Sequence, residues 1–203
     1  MKLFDTQVAP NPRRVRVFMA EKGIEIERIQ VDLGKMEQKS SEFTALNPRQ
    51  RTPVLELDDG TRLCESVAIC RYLEALHPEP NLFGRTPLEI GEIEMWNRRM
   101  ELDLLATIAG AFRHLHPAMA AMEVPQVKEW GERNKARIVG ELTFLDQHLK
   151  GREFLAAGRF TNADITAMIA VDFLRPTRVA IPEELVDLRR WHATVSARPS
   201  AKA

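Results

Sequence analysis

The residues able to do chemistry gather near three helix starts and one helix end. Pro10-Asn11-Pro12 sets one amide side chain, with two N–H donors, between two prolines that have no N–H. Asn11 suits an N-cap and Pro12 a first helical position, so a helix is expected from there. A helix start favours negative charge. Arg13 and Arg14 follow and are expected to be solvated. Glu65-Ser66 precedes a second apolar helical run, with Ser66 as its cap, and Thr161-Asn162-Ala163-Asp164 forms an acidic capping box for a third. Phe112, Arg113, His114 and His116 cluster near the end of a long helix. Arg113 could hold an anion there, or simply complement the helix dipole. His114 and His116 do not make a metal site without a third ligand.

The two cysteines, Cys64 and Cys70, form no CxxC pair, which argues against both a zinc site and a disulfide framework. Cys70 falls on an apolar helix face and is expected in the core. Cys64 sits on a strand, where a free cysteine is more often a small core residue than a nucleophile.

The elements that must position these groups follow from periodicity. Lys2 to Asp5 is a short strand, a helix with Val15, Phe18 and Met19 ends at Gly23, and Ile24 to Val31 gives a second strand. Ser40 to Leu46 is a short helix. Pro53 to Leu57 and Thr61 to Glu65 flank Asp58-Asp59-Gly60, a hairpin signal, before the helix with Val67, Ile69, Cys70, Leu73 and Leu76. The order β-α-β, connector, β-β-α implies a parallel pair with a right-handed crossover, then a hairpin. The prolines and glycine of residues 77–84 mark a linker. Beyond it the pattern is helical throughout, in Ile93 to Leu115, Trp130 to Leu149, the capped helix after Thr161, and Leu185 to Trp191.

Four local features in this order resemble the glutathione transferase superfamily over nearly the whole chain. They are Asn47-Pro48 before Thr52-Pro53, the run Glu65-Ser66-Val67-Ala68-Ile69, the linker with Asn81-Leu82-Phe83, and Phe160-Thr161-Asn162-Ala163-Asp164. The resemblance implies an α/β thioredoxin-like N-terminal domain over residues 1–80 and an all-α helical bundle over residues 81–203. It implies glutathione as co-substrate and a homodimer.

Residue by residue, the resemblance makes Pro53 a cis-proline that turns the Thr52 main chain toward the cysteinyl backbone of glutathione. The other reading is an ordinary strand-initial proline. Ser66 and the helix it starts would take the γ-glutamyl carboxylate, and Glu65 the ammonium. Gln38 and Arg51 match positions that reach the glycyl end, although a solvated role suits either. The reactive hydroxyl of theta-like members falls on Ala9, which has none, and Pro10-Asn11 repeats a pair found in nu-like bacterial members. Asn11 is therefore the candidate catalytic donor to the thiolate, unless it is spent as the cap of its own helix. Phe112 and Arg113 are the candidates for an electrophile pocket. The implied function is attack of glutathione thiolate on a small electrophile. The alternatives are reduction of a disulfide, and a non-catalytic binding module.

Bulk composition fits these expectations. The chain has 203 residues, 44% hydrophobic and 29% charged, with 29 acidic and 29 basic side chains. No net field draws in nucleic acid. Neither a signal peptide nor a long apolar run is visible, so a cytoplasmic protein without membrane or metal partners is expected.

Overall fold

The computed structural model describes residues 1–203, which divide into two compact units. Met1–Asn81 together with Pro199–Ala203 form the first, and Leu82–Arg198 the second. The first mixes strands with helices and the second is all-helical.

The first unit holds strands β1 (Lys2–Asp5), β2 (Glu27–Gln30), β3 (Val54–Glu56) and β4 (Arg62–Cys64), with helices α1 (Pro10–Lys22), α2 (Ser41–Leu46) and α3 (Ser66–Leu76). The sheet order is β2-β1-β3-β4. β1 and β2 run parallel, and β3 runs antiparallel to both β1 and β4. Strand alternation sorts the side chains. Leu3, Leu55 and Leu63 share one face, and Phe4, Val54 and Cys64 share the other. On the second face Val31, Phe43 and Val54 are buried, with Phe4, Leu46 and Cys64 packed against them. Cys64 is thus a packing residue, and burial raises its thiol pKa. Cys70 is fully buried with its pKa raised to about 12, again by burial, so neither thiol is poised as a nucleophile.

Three local expectations are corrected. α1 starts at Pro10, with Ala9 in the N-cap position and no side-chain cap, so Asn11 is not the cap of its own helix. Glu65 occupies the N-cap position of α3 and Ser66 is its first helical residue, so Ser66 does not cap either. Arg14 is fully buried rather than solvated. Gly23 does end α1, in the left-handed region at φ 63°.

The second unit begins with α4 (Pro87–Arg98), which continues through a π-helical stretch (Arg99–Leu105) into α5 (Ala106–Leu115). Trp96, Met100, Leu104 and Ile108 are all buried and lie four residues apart. That spacing drifts off the face of a 3.6-residue helix, and the wider π turn keeps it aligned. α6 (Lys128–Leu149) packs against α5. Gly131 permits the approach, because a Cβ there would meet Leu115 Cγ at 2.6 Å. Trp130, expected on the buried stripe of α6, is instead 49% exposed. α7 (Asn162–Asp172) is buried along almost its whole length, and α8 (Val186–Ser196) packs on α6 and α7.

Candidate functional site

Register brings the candidate residues of the first unit to one end of the sheet. Phe4 pairs with Val54, Val54 with Cys64, and Asp5 with Gln30. One residue further on stand Pro53, at the start of β3, and Glu65, at the end of β4. The loop from β1 into α1 leaves the sheet at that same end. So the Thr6–Ala9 loop, Thr52-Pro53 and Glu65-Ser66 lie side by side, and the starts of α1 and α3 share the same edge.

Each part is fixed by its own contacts. The Thr52-Pro53 peptide is cis. Buried Asn47 holds the approach, donating from Nδ2 to the Arg51 carbonyl at 2.8 Å and accepting from Arg49 N–H at 3.0 Å. The Thr52 main chain makes no hydrogen bond within the chain, so its N–H and C=O are open to a peptide-like partner. Glu65 adopts φ 67° and ψ 117°, an uncommon conformation for a residue with a side chain. The first-turn amides of Ser66, Val67 and Ala68 make no hydrogen bond either. They form a cluster of donors at the positive end of an 11-residue helix.

Two arginines on α1 brace this end from below. Arg14 Nη1 donates to Ser66 Oγ at 2.8 Å, in a buried contact between α1 and α3. Arg16 Nη1 donates to Asp5 Oδ1 at 2.6 Å and to the Thr6 carbonyl at 3.0 Å, which ties α1 to the end of β1. The Arg16–Asp5 ion pair is almost wholly buried. Arg13 is not free in water either, since its Nη2 donates to the Ala201 carbonyl at 2.8 Å.

In the second unit, Phe112 lines a cleft of about 620 Å³ with His114, His116, Lys128, Lys135 and Arg178. Its ring meets Phe173 edge-on at 5.2 Å and His116 at 5.0 Å. Arg113 is exposed beside the cleft, and its carbonyl accepts from Gln126 Nε2 at 2.7 Å. His114 Nδ1 accepts from Val127 N–H at 3.0 Å and His116 Nδ1 from Ala118 N–H at 3.2 Å. No group of three or more His, Cys, Asp or Glu side chains could hold a metal ion.

Known proteins resemble this chain in sequence and fold. Residues 8–76 match the glutathione S-transferase N-terminal domain, and residues 114–199 match its C-terminal domain. Glutathione S-transferase 2 of Saccharomyces cerevisiae is 39% identical over 205 residues, spanning 100% of this chain and 88% of the yeast protein. The chain belongs to the glutathione S-transferase family. A glutathione S-transferase domain-containing protein of Marinobacter aquaeolei has a similar structure, with a TM-score of 0.94 at 39% identity over 98% of this chain and 99% of that one. A class Gtt2 glutathione S-transferase of Vibrio parahaemolyticus gives a TM-score of 0.87 at 35% identity, over 100% of this chain and 96% of its own. This transferase is accordingly an enzyme with glutathione as co-substrate. Its expected architecture, a thioredoxin-like α/β domain followed by a helical bundle, is the one observed.

The transferase brings most of its sequence-predicted residues together and sets others apart. Thr52, Pro53, Glu65 and Ser66 share the sheet end, and Asn11 is exposed in the first turn of α1 near them. Arg51 is exposed beside Thr52. Gln38 is 96% buried, in a short 3-10 turn before α2. Its side chain is therefore packed into the fold rather than extended into solvent. Phe112 and Arg113 belong to the second unit. Sequence reasoning missed Arg14, Arg16 and Asp5. The signal was present, since Arg14 lies one turn before Phe18 and so shares its inward helical face. No helix of the transferase is long and apolar enough to cross a membrane.

Proposed function

We propose that this enzyme binds glutathione across the Thr52 main chain and the start of α3, and directs its thiolate at a small electrophile. The observation that carries the reading is the set of open backbone groups at one sheet end. The Thr52 peptide can pair with the cysteinyl backbone, and the amides of Ser66, Val67 and Ala68 can receive the γ-glutamyl carboxylate. Exposed Glu65 is within the same segment and supplies the counter-charge for the ammonium. Arg51 is the candidate for the glycyl carboxylate. Gln38, being buried, would act there by holding the loop rather than by direct reach.

Glutathione is reactive as the thiolate, and a free thiol with a pKa of about 8.5 is mostly protonated at neutral pH. Ala9 offers no hydroxyl. The donors left at the start of α1 are the Asn11 backbone N–H and its side-chain amide, because Pro10 and Pro12 have none. Asn11 is exposed and not engaged in capping, so its amide is available to the sulfur. Phe112 and Arg113 are the candidates for contact with the electrophile. Leu88, Met95 and Leu102 are exposed at intervals of seven along the helix, which supports a second copy of the chain as partner.

A second reading, disulfide reduction, is favoured by Asn11 following Pro10. A theta- or nu-like class rests on that pair and on the Arg13-Arg14-Val15 alignment that sets Ala9 at the theta-like hydroxyl position. One thiolate would attack the disulfide to give a mixed disulfide, and a second glutathione would resolve it, leaving two reduced thiols and glutathione disulfide. Assays with a chloronitroaromatic and with hydroxyethyl disulfide separate the two readings. Turnover of the first supports transfer. Turnover of the second alone replaces it with reduction. Titration calorimetry with reduced glutathione tests the shared premise, and an absence of heat at millimolar ligand would sink both.

A further inference from the structure

We propose that Arg14 is a positioning residue of the glutathione site, holding the Ser66 hydroxyl so that its proton is presented to the γ-glutamyl carboxylate. This inference rests on the reading that α3 receives that carboxylate.

The geometry is specific. Arg14 is fully buried and Ser66 is 5% exposed. Arg14 Nη1 lies 2.8 Å from Ser66 Oγ, across 52 residues of sequence. A guanidinium has five N–H donors, no acceptor, and stays protonated at any relevant pH. The hydroxyl therefore must accept in this contact, and its own proton must point elsewhere. Ser66 makes no other side-chain hydrogen bond, and it is not the cap of α3. The proton is left for a ligand.

Its surroundings favour an anion as that ligand. The amides of Ser66, Val67 and Ala68 are open beside it. A buried positive charge behind the hydroxyl polarises it, and the low dielectric strengthens that effect. The sheet end also holds Glu65 at φ 67°, so the Ser66 backbone is set by its junction with β4 while Arg14 holds its hydroxyl. A hydroxyl free to rotate would offer a lone pair to the carboxylate as readily as a proton. Arg14 removes that choice.

The alternative is that Arg14 only clamps α1 to α3. A clamp would affect every ligand at this end alike, whereas a positioning residue would affect the carboxylate selectively. The test compares glutathione with its 4-aminobutyryl-cysteinyl-glycine analogue, which keeps the amine and lacks only the γ-glutamyl carboxylate. The wild-type enzyme is expected to prefer glutathione by roughly 10–100-fold in affinity. In Arg14→Met that preference should shrink about tenfold, with the loss in KM for glutathione rather than in kcat. An unchanged preference in Arg14→Met, with both ligands weakened equally, would overturn the proposal. Should Arg14→Met fail to fold, Ser66→Ala carries the same measurement, and a preference surviving that change would overturn it equally. A wild-type enzyme with no preference removes the α3 carboxylate reading itself, and this inference with it.

Discussion

Two helix starts in this protein solve the same problem in opposite ways. The first-turn amides of any helix lack intrahelical partners. At α7 they are met from within. Asn162 N–H reaches the Leu82 carbonyl at 3.0 Å, Asp164 N–H reaches the Thr161 carbonyl at 3.1 Å, and Thr161 and Asp164 complete a capping box. Asp164 is fully buried and also accepts from Leu155 N–H and Trp191 Nε1, each at 3.0 Å. At α3 the amides of Ser66, Val67 and Ala68 are left open, and the first-turn hydroxyl is taken from behind by Arg14. The closed start organises a core and the open one is free for a ligand. Substitutions at the two should therefore divide cleanly between stability and binding.

The largest effect is expected at the closed start. Asp164→Ala would strand the Leu155 and Thr161 amides and the Trp191 indole in a buried site. Orphaned buried donors cost about 1–3 kcal/mol each, so a loss of roughly 3–5 kcal/mol in urea unfolding is expected. Glutathione affinity in the fraction that folds should be unaltered. A stable Asp164→Ala protein with weakened glutathione binding would break the contrast.

The pH dependence of stability comes next. Burial raises the Asp164 carboxyl from 3.8 to about 6, against the hydrogen bonds that pull it down. A folded-state pKa above the unfolded one means the native state holds the proton more tightly between those values. The contribution is then fully present below about pH 4 and is lost as pH rises through 6, to the extent of about 3 kcal/mol. Chemical denaturation across that window should show this falling component in the wild type and not in Asp164→Asn. A component of the same size persisting in Asp164→Asn would assign it to another group.

The closed start was legible in the sequence and the braced one only in part. Thr161 and Asp164 sit at capping-box spacing, a local signal that needs no knowledge of what lies across the fold. Glu65-Ser66 likewise marked a helix start, and the hairpin and the crossover helix α1 followed from period and turn residues. What could not be read locally was the partner of Ser66. Arg14 is 52 residues away, and an arginine on a helix is by default solvated, so only the sheet order, with α1 packed on α3, reveals the pairing. Asn11 shows the opposite failure. Pro12 suggested a helix beginning two residues later, and the helix begins at Pro10, so the expected cap is not used. The π turn after Arg98 was visible only as four-residue apolar spacing, which an ordinary helix also tolerates over short runs.

The open start should answer mainly in binding. Ser66→Ala is expected to weaken glutathione by about tenfold, the scale of one hydrogen bond to a charged group. It also leaves Arg14 Nη1 without its 2.8 Å acceptor, so a stability loss of about 1–2 kcal/mol should accompany it. Isothermal calorimetry and urea unfolding on the same preparation give the two numbers. A stability loss as large as that of Asp164→Ala would mean that Ser66 is primarily a structural residue and that α3 is less open than its unused amides indicate.

The start of α1 lies between these extremes, and the smallest expected effect is there. Its N-cap, Ala9, has extended backbone and no side-chain bond to the first turn. Ala9→Ser supplies the oxygen that the cap lacks, and capping contributes about 1 kcal/mol. The same hydroxyl could instead donate its proton to a bound thiolate while its oxygen accepts from the first turn. Pro10 and Pro12 have no N–H, which leaves few amides for that oxygen to accept from. The gain in unfolding free energy should therefore fall below the usual capping value, and the pKa of bound glutathione, followed by ultraviolet absorbance of the thiolate, should drop in Ala9→Ser. A full capping gain with no movement of the thiol would show that α1 is a third structural start. The thiolate would then depend on Asn11 alone, and Asn11→Ala should raise the pKa of the bound thiol by about half a unit to one unit.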